Sequence, residues 1–504
     1  MNDASPSAVP AFERRLAGAL ALATVALLAL VAFDLVPWLR GEGSGVWIWA
    51  HAPRRPSAAL LPALGAAALL VALAASPLAR LAAPSRARRA TLLAAITLAG
   101  SGLAAALLAP EPGGIARTLI IRTIDPNFTS YHTVALAEMP EGAAAFLATH
   151  HEQLATLPLH AATHPPGPSL YYRALLAAFE ARPRASDALV RALDLDDRAA
   201  LARLRPAQTP ASIAAALTGA LGLLVAGAAA AWPVSRLVTR LAGDPEAGLR
   251  AAAIWPLVPA MALMSPEFDQ ALALPVAAAA AALVAAAQAR RPATAVAAGL
   301  AAGLAAAAAL FLSYGALAFL SGAALAAAVL PAPGSRRPAA VGFGVAALAA
   351  GALFFATGLL GHRPLAAALD AVALHGNRHT WGRGWAVSTG LNLADTLLFF
   401  GPPLLGLLAV RAGTGHPGGR AGFFTLPAAA RWSALLVAAF ALFLLSGTVR
   451  GEAGRIFLPW MPLLLAAAVT TADGRRSLSP RLAGALALLF AVWTISLRLL
   501  LRVP

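Results

Sequence analysis

Residues 164–172 read His164-Pro165-Pro166-Gly167-Pro168-Ser169-Leu170-Tyr171-Tyr172, and an apolar stretch follows as far as Phe179. How this segment is read decides the fold. A membrane span over 168–182 would invert every later segment and move the paired-arginine loops to the other side. The adjacent prolines remove two backbone donors and fix φ, so 164–167 is a rigid turn rather than helix or strand. The plain reading is a loop-to-helix junction with proline as an early helix residue. The functional reading is a rigid turn that holds a histidine at a membrane surface. We read 168–182 as an interfacial helix, because only then do the charges downstream fall into order.

Composition sets the class. Of 504 residues, 60% are hydrophobic and 12% charged, with mean hydropathy +0.73. Soluble domains carry about 25% charged residues, so lipid solvates most of this chain. There is no cysteine, which excludes disulfides, thiolate-ligated zinc and thiol catalysis. There is no lysine either, so all 38 basic residues are arginine and Schiff-base chemistry is excluded. The net charge of +16 is not read as nucleic-acid binding, since arginines in short loops beside apolar helices are a topology signal.

Stretches long enough to span, about 20 residues each, occur near 16–36, 58–79, 90–109, 211–231, 248–264, 271–288, 294–313, 315–331, 339–360, 389–410, 432–447, 456–471 and 481–499. The expected fold is an all-α integral membrane protein, a polytopic bundle of about 11–13 transmembrane helices with a large extracytoplasmic loop. Its three parts are N-terminal helices (1–110), the loop with interfacial helices (111–210) and a C-terminal bundle (211–504). No cleavable signal peptide is expected, because Arg14 and Arg15 precede a long first span. With the N-terminus cytoplasmic, the inner segments hold pairs such as Arg290-Arg291, Arg336-Arg337 and Arg475-Arg476. Most acidic residues and histidines then fall outside. The expected location is a bacterial plasma (inner) membrane, crossed many times, with the chemistry on the outer side.

The outer segments supply the candidates. The first runs from Asp34 through Trp38, Arg40, Trp47 and Trp49; the tryptophans fit an aromatic belt. The large loop contains Arg122-Thr-Ile-Asp125-Pro-Asn127, then Ser130-Tyr131-His132-Thr-Val-Ala135, an amphipathic stretch at 141–156, and His164. A charged helical pattern covers 185–205. The hairpin Ser265-Pro-Glu267-Phe-Asp269-Gln270 puts two carboxylates in a tight turn. Later come His375-Gly-Asn377-Arg378-His379, Asn392 with Asp395, and Arg450-Gly-Glu452-Ala-Gly-Arg455. Asn392 and Asp395 share a helix face, and Asp395 must face the bundle, paired or wet. Glu452 and Arg455, three apart, can pair with each other.

The segments Arg122–Asn127, Ser130–Ala135 and His164–Tyr172 together resemble the GT-C membrane glycosyltransferases. That superfamily includes the protein O-mannosyltransferases and the aminoarabinose transferases, whose corresponding turn is His-Pro-Pro-Leu. The resemblance has motif support over about residues 110–180 and rests on topology elsewhere. It implies a GT-C-like fold, a polyprenyl-phosphate sugar donor and a loop aspartate as catalytic base or metal partner. The chain departs from the pattern in three ways. Gly167 replaces the leucine, the acidic pair is reduced to Asp125, and two spans precede the loop, which makes Asp34 a rival for the catalytic position.

The expected function is transfer of a sugar from a polyprenyl-phosphate donor to an acceptor on the outer face of the membrane. Asp125 or Asp34 would be the base. Tyr131, His132, His164, Asp269, Asn392, Asp395 and Glu452 would line the substrate site, and Arg378, Arg450 or Arg455 would hold the departing phosphate. A divalent cation such as Mg or Mn could assist, although no ligand cluster in the sequence specifies one. The expected partners are the lipid-linked donor and membrane lipid. The alternative is a multi-pass transporter or lipid flippase that breaks no bond; the absence of an internal repeat and the scarcity of charges within spans weigh against it.

Overall fold

The computed structural model describes residues 8–44, 48–76, 85–193, 206–379, 384–413, 426–449, 451–470 and 478–503. The chain is an all-α polytopic membrane protein. Its first helices are α1 (Ala8–Ala32), α2 (Leu61–Ala75) and α3 (Arg86–Ala106). Six short helices follow: α4 (Gly114–Ile124), α5 (Tyr131–Ala137), α6 (Ala143–Gln153), α7 (Leu159–Ala162), α8 (Gly167–Glu180) and α9 (Pro183–Ala192). The bundle continues with α10 (Pro210–Ala229), α11 (Ala231–Ala242), α12 (Pro245–Ile254), α13 (Pro259–Leu263), α14 (Phe268–Ala287), α15 (Pro292–Leu312), α16 (Ala316–Ala328) and α17 (Arg336–Ala356). It ends with α18 (Pro364–His379), α19 (Trp385–Phe400), α20 (Pro402–Gly413), α21 (Ala428–Leu445), α22 (Ala453–Ile456), α23 (Met461–Val469) and α24 (Pro480–Leu500).

Among the described residues, nine helical segments are long and apolar enough to cross a membrane, or ten if one bent pair counts as a span. Nine of the thirteen expected stretches are these segments. The other four are shorter or broken, and proline explains three of them. Pro256 and Pro259 divide 248–264 into α12, a single 3₁₀ turn and α13. Pro459 and Pro462 divide 456–471 in the same way. At Gly401-Pro402-Pro403 the chain turns by 101° between α19 and α20. Each proline removes a donor and clashes with the preceding turn, so a hydropathy window counts as continuous what the backbone cannot continue. The fourth stretch, 315–331, is the 13-residue α16.

Helix α8 has 14 residues and is not among the candidate spans, in keeping with the reading of 168–182. Pro168 sits in its first turn, and Tyr172 and Leu176 are buried. Tyr171 donates to Gly219 O of α10 at 3.0 Å, which fixes α8 against the bundle. The start of α10 is set by Pro210 and by a reciprocal cap between Thr209 and Ser212. Close packing depends on small residues. A Cβ on Gly299 of α15 would stand 2.3 Å from Gly342 O of α17, and one on Gly303 would stand 2.7 Å from Ala346 O. Glycines four apart on one helix face therefore let the two backbones touch.

The largest apolar cluster joins Leu70 and Leu103 to Trp255, Trp460 and Trp493, and a second joins Tyr131 and Tyr172 to Leu223 and Phe268. The ends of the chain are also joined. Strand β1 (Ala50–His51) pairs antiparallel with β2 (Leu501–Arg502), and Arg54 N donates to Leu499 O at 2.7 Å. The loop after α1 is thereby fixed beside the end of α24, and Trp49 is carried into the bundle.

Candidate functional site

Arg455 stands at the centre of the site. Its Nη2 lies 2.8 Å from Glu452, its Nε 3.4 Å from Asp269 and its Nη1 3.6 Å from Glu267. One guanidinium therefore serves three carboxylates from two distant segments. Cavities adjoin the group on two sides. The smaller, about 20 Å³, is lined by Thr129, Tyr131, His160, His164, Ser313, Glu267, Asp269 and Arg455 among others. The larger, about 160 Å³, is lined by Trp49, Asn127, Phe128, Met264, Glu267, Glu452 and Arg455. Glu267 and Arg455 line both and form the partition between them.

Local chemistry places each of these groups. Glu267 is the N-cap of α14 and forms a reciprocal cap with Gln270. Gln270 is fully buried and donates to Met261 O and to Ser265 Oγ, both at 2.6 Å. Arg122 of α4 donates to Ser265 O at 2.5 Å. The turn that carries Glu267 is thus held by a buried amide and by a guanidinium. Asp269 lies in the first turn of α14, where the helix dipole favours a carboxylate. Burial pushes the Glu267 carboxyl up to about 8 despite the opposing pull of Arg455.

Glu452 caps α22 with φ 50°, a left-handed conformation that is uncommon outside glycine. The strain is held in place by Gly454 N, which donates to Asp395 Oδ2 at 3.3 Å. Asp395 also accepts from Trp49 Nε1 at 2.6 Å, so it ties the loop after α1 to the 451–455 turn. Asn392, one turn earlier, donates to Val449 O at 2.8 Å. On the far side Tyr131 packs edge-on against Phe268 and His164, with ring centroids 5.1 and 5.7 Å apart. His164 Nδ1 donates to His160 O at 2.9 Å.

The structure therefore brings together Tyr131, His164, Asp269, Glu452 and Arg455, with Asn392 and Asp395 directly behind them. Three expected residues lie elsewhere. Asp125 accepts from Asn127 N at 2.9 Å and Asn127 Nδ2 at 2.8 Å, and so braces its own turn, although Asn127 and Phe128 reach the larger cavity. Asp34 takes two bonds from Arg40, both 2.8 Å; the side-chain bond to Arg40 holds its carboxyl below the usual range. His132 is buried against Tyr172 and donates from Nε2 to Ser212 O at 3.0 Å. Burial lowers its pKa to about 4. Arg450 and the side chain of Arg378 lie outside the described residues, as does 194–205 of the expected charged helix.

Sequence reasoning passed over Glu267 as a site residue, and also Trp49, Thr129 and His160. The signal for Glu267 was its place beside Asp269 in a two-carboxylate turn. Trp49 gave no such signal, because a belt tryptophan and a cavity wall look alike in sequence. A second ionic group was missed entirely. Glu111 meets Arg54 at 3.1 Å, Arg122 at 3.9 Å and Arg498 in a short contact.

Among the described residues, no group of three or more histidines and carboxylates is arranged to hold a metal ion. The carboxylates around Arg455 already face its guanidinium, so a divalent cation would have to displace it. That donor set does not fit a metal. Comparison of the chain with protein-family models, with curated proteins and with solved structures finds no match.

Proposed function

We propose that this chain is a membrane-embedded glycosyltransferase of GT-C type. It moves a sugar from a polyprenyl-phosphate donor to an acceptor on the outer face of a bacterial inner membrane, with its N-terminus in the cytoplasm. The observation that supports this reading is convergence. Carboxylates, a guanidinium, a tyrosine and a histidine from separate parts of the chain meet at one cleft with two chambers. A protein that only needed to be soluble in lipid would avoid placing two largely buried acids and a third, half-exposed one around one base.

In the proposed reaction an acceptor hydroxyl oxygen attacks the anomeric carbon. The bond from that carbon to the phosphate oxygen breaks, and the phosphate leaves with the electron pair. A cleft carboxylate takes the hydroxyl proton. We assign that role to Glu267, with Asp269 beside it, in place of Asp125, whose carboxylate is committed to its own turn. A carboxyl poised near 8 is suited to proton transfer near neutral pH. Arg455 balances charge on the departing phosphate as it develops, and Trp49 and Phe128 supply flat apolar walls for a sugar ring.

The test is transfer of labelled sugar from a panel of prenyl-phosphate sugars by the purified chain in vesicles. Transfer that Glu267→Gln abolishes and Asp125→Asn spares is the expected result. Movement of intact lipid-linked sugar across the bilayer, with no product formed, would overturn it.

A further inference from the structure

Helix α18 follows the last long span of its region without leaving the apolar surface. Its apolar part, Pro364–His375, is among the helices too short to qualify as spans. At 1.5 Å per residue it is about 18 Å long, against roughly 30 Å of hydrocarbon. Two faces of this helix differ sharply. Ala367 and Ala371 are fully buried, and Ala367 and Leu374 pack in the apolar cluster that contains Tyr131 and Phe268 of the cleft wall. Leu365, Leu369 and Val372 are 55%, 62% and 66% exposed. At 100° per residue these three lie within an arc of about 60°.

No charged residue falls in that arc: Asp370 is turned about 100° away from Leu369, and Arg363 precedes the helix. The patch also continues an apolar surface. Leu359 and Leu360, at the end of the preceding span, are exposed, as are Phe355 and Leu348 within it. Toward its far end the helix is tethered just past the end of α21, where His375 Nε2 donates to Thr448 O at 3.3 Å.

We infer that α18 is a half-membrane helix whose Leu365–Leu369–Val372 face docks into the hydrocarbon of one leaflet while its opposite face packs on the cluster that carries Tyr131 and Phe268 of the cleft wall. The occupant of this face is membrane lipid. Water would leave a contiguous patch of large apolar side chains unsatisfied, and the adjoining span presents the same chemistry. The inference rests on this geometry alone and does not require sugar transfer.

The absence of cysteine makes the test direct. Leu369→Cys and Val372→Cys in the full chain are each labelled with a bimane fluorophore. The protein is placed in phosphatidylethanolamine–phosphatidylglycerol vesicles and exposed to brominated acyl chains or to aqueous iodide. Leu348→Cys serves as the lipid reference and Glu152→Cys as the water reference. Expected is a loss of emission to brominated lipid as large as at position 348, none to iodide, and stronger quenching by shallow than by deep bromines. Quenching by iodide as at position 152 overturns the inference. So does quenching by neither agent, which would mean that a second copy or another protein covers the face.

Discussion

Two ionic groups in this protein are near mirror images in charge. Around Glu111 three arginines share one carboxylate, and around Arg455 three carboxylates share one guanidinium. The surplus positive charge of the first is spent on backbone. Arg498 donates to Leu107 O and Val503 O, and Arg122 to Ser265 O and Val503 O. Burial would raise the Glu111 carboxyl, but Arg498, Arg54 and Arg122 together hold it below its usual range. Among the described residues, the second group has no comparable set of backbone partners, and it borders two cavities. The first group joins loops to the end of α24. The second leaves charged side chains lining the two cavities. Arg122 links them, because it contacts Glu111 and also fixes the turn that bears Glu267.

This contrast breaks most decisively at Glu267. Glu267→Gln should lower transfer by about 10²–10⁴-fold, the usual contribution of a general base, with the far-ultraviolet circular dichroism of the protein unchanged. In the parent, transfer should rise with pH through about 8 as that carboxyl ionises; a flat pH profile would remove Glu267 from the role.

Glu111→Gln should behave in the opposite way. It leaves buried guanidiniums without their counter-charge, a change that destabilises by about 3–5 kcal/mol. Thermal unfolding in detergent would report it, while the folded fraction should retain its rate of transfer. A variant that unfolds normally but cannot transfer would erase the division between the two groups.

His132 sharpens the same division through pH. Its folded pKa of about 4 lies below the ordinary 6.5, so between those values the unfolded chain binds the proton first. Stability therefore rises with pH from 4 to 6.5 and is lost as pH falls through that window. At about 1.4 kcal/mol for each unit of pKa difference, the swing is on the order of 3 kcal/mol. His132→Gln should flatten it, as measured by the difference in unfolding temperature between variant and parent. That difference cancels Glu267, which contributes with the opposite sign because its folded pKa is raised.

The smallest effect on stability is expected at Glu452. Its side chain is 44% exposed, and exposed ion pairs contribute about 0–1 kcal/mol. Glycine suits the left-handed φ better. Glu452→Gly should thus leave the unfolding temperature nearly unchanged while reducing transfer, and a large loss of stability would show the residue to be structural.

How much of this was legible in the sequence differs between fold and site. Helical membrane architecture follows from apolar runs of sufficient length, a local property, and nine of the thirteen runs are long helices. Three of the other four failed where proline acts on backbone geometry that hydropathy does not register. At the site, Glu452–Arg455 was readable because residues three apart on a helix meet. Asp395 was also expected to face the bundle, paired or wet. Its partner, Trp49, lies 346 positions away, and no periodicity connects the two.

The sequence by itself determined that the chain lives in lipid, where most of its helices run, and that its carboxylates and histidines gather in a few loops. Only the tertiary structure decided which of those carboxylates are consumed locally. Asp34 and Asp125 lie within reach of Arg40 and Asn127 on their own loops, whereas Glu267 and Asp269 are held near Arg455, almost two hundred positions away. The physical reason is that an ionic partner is selected by distance in space and by desolvation, and both are fixed only when the helices have packed.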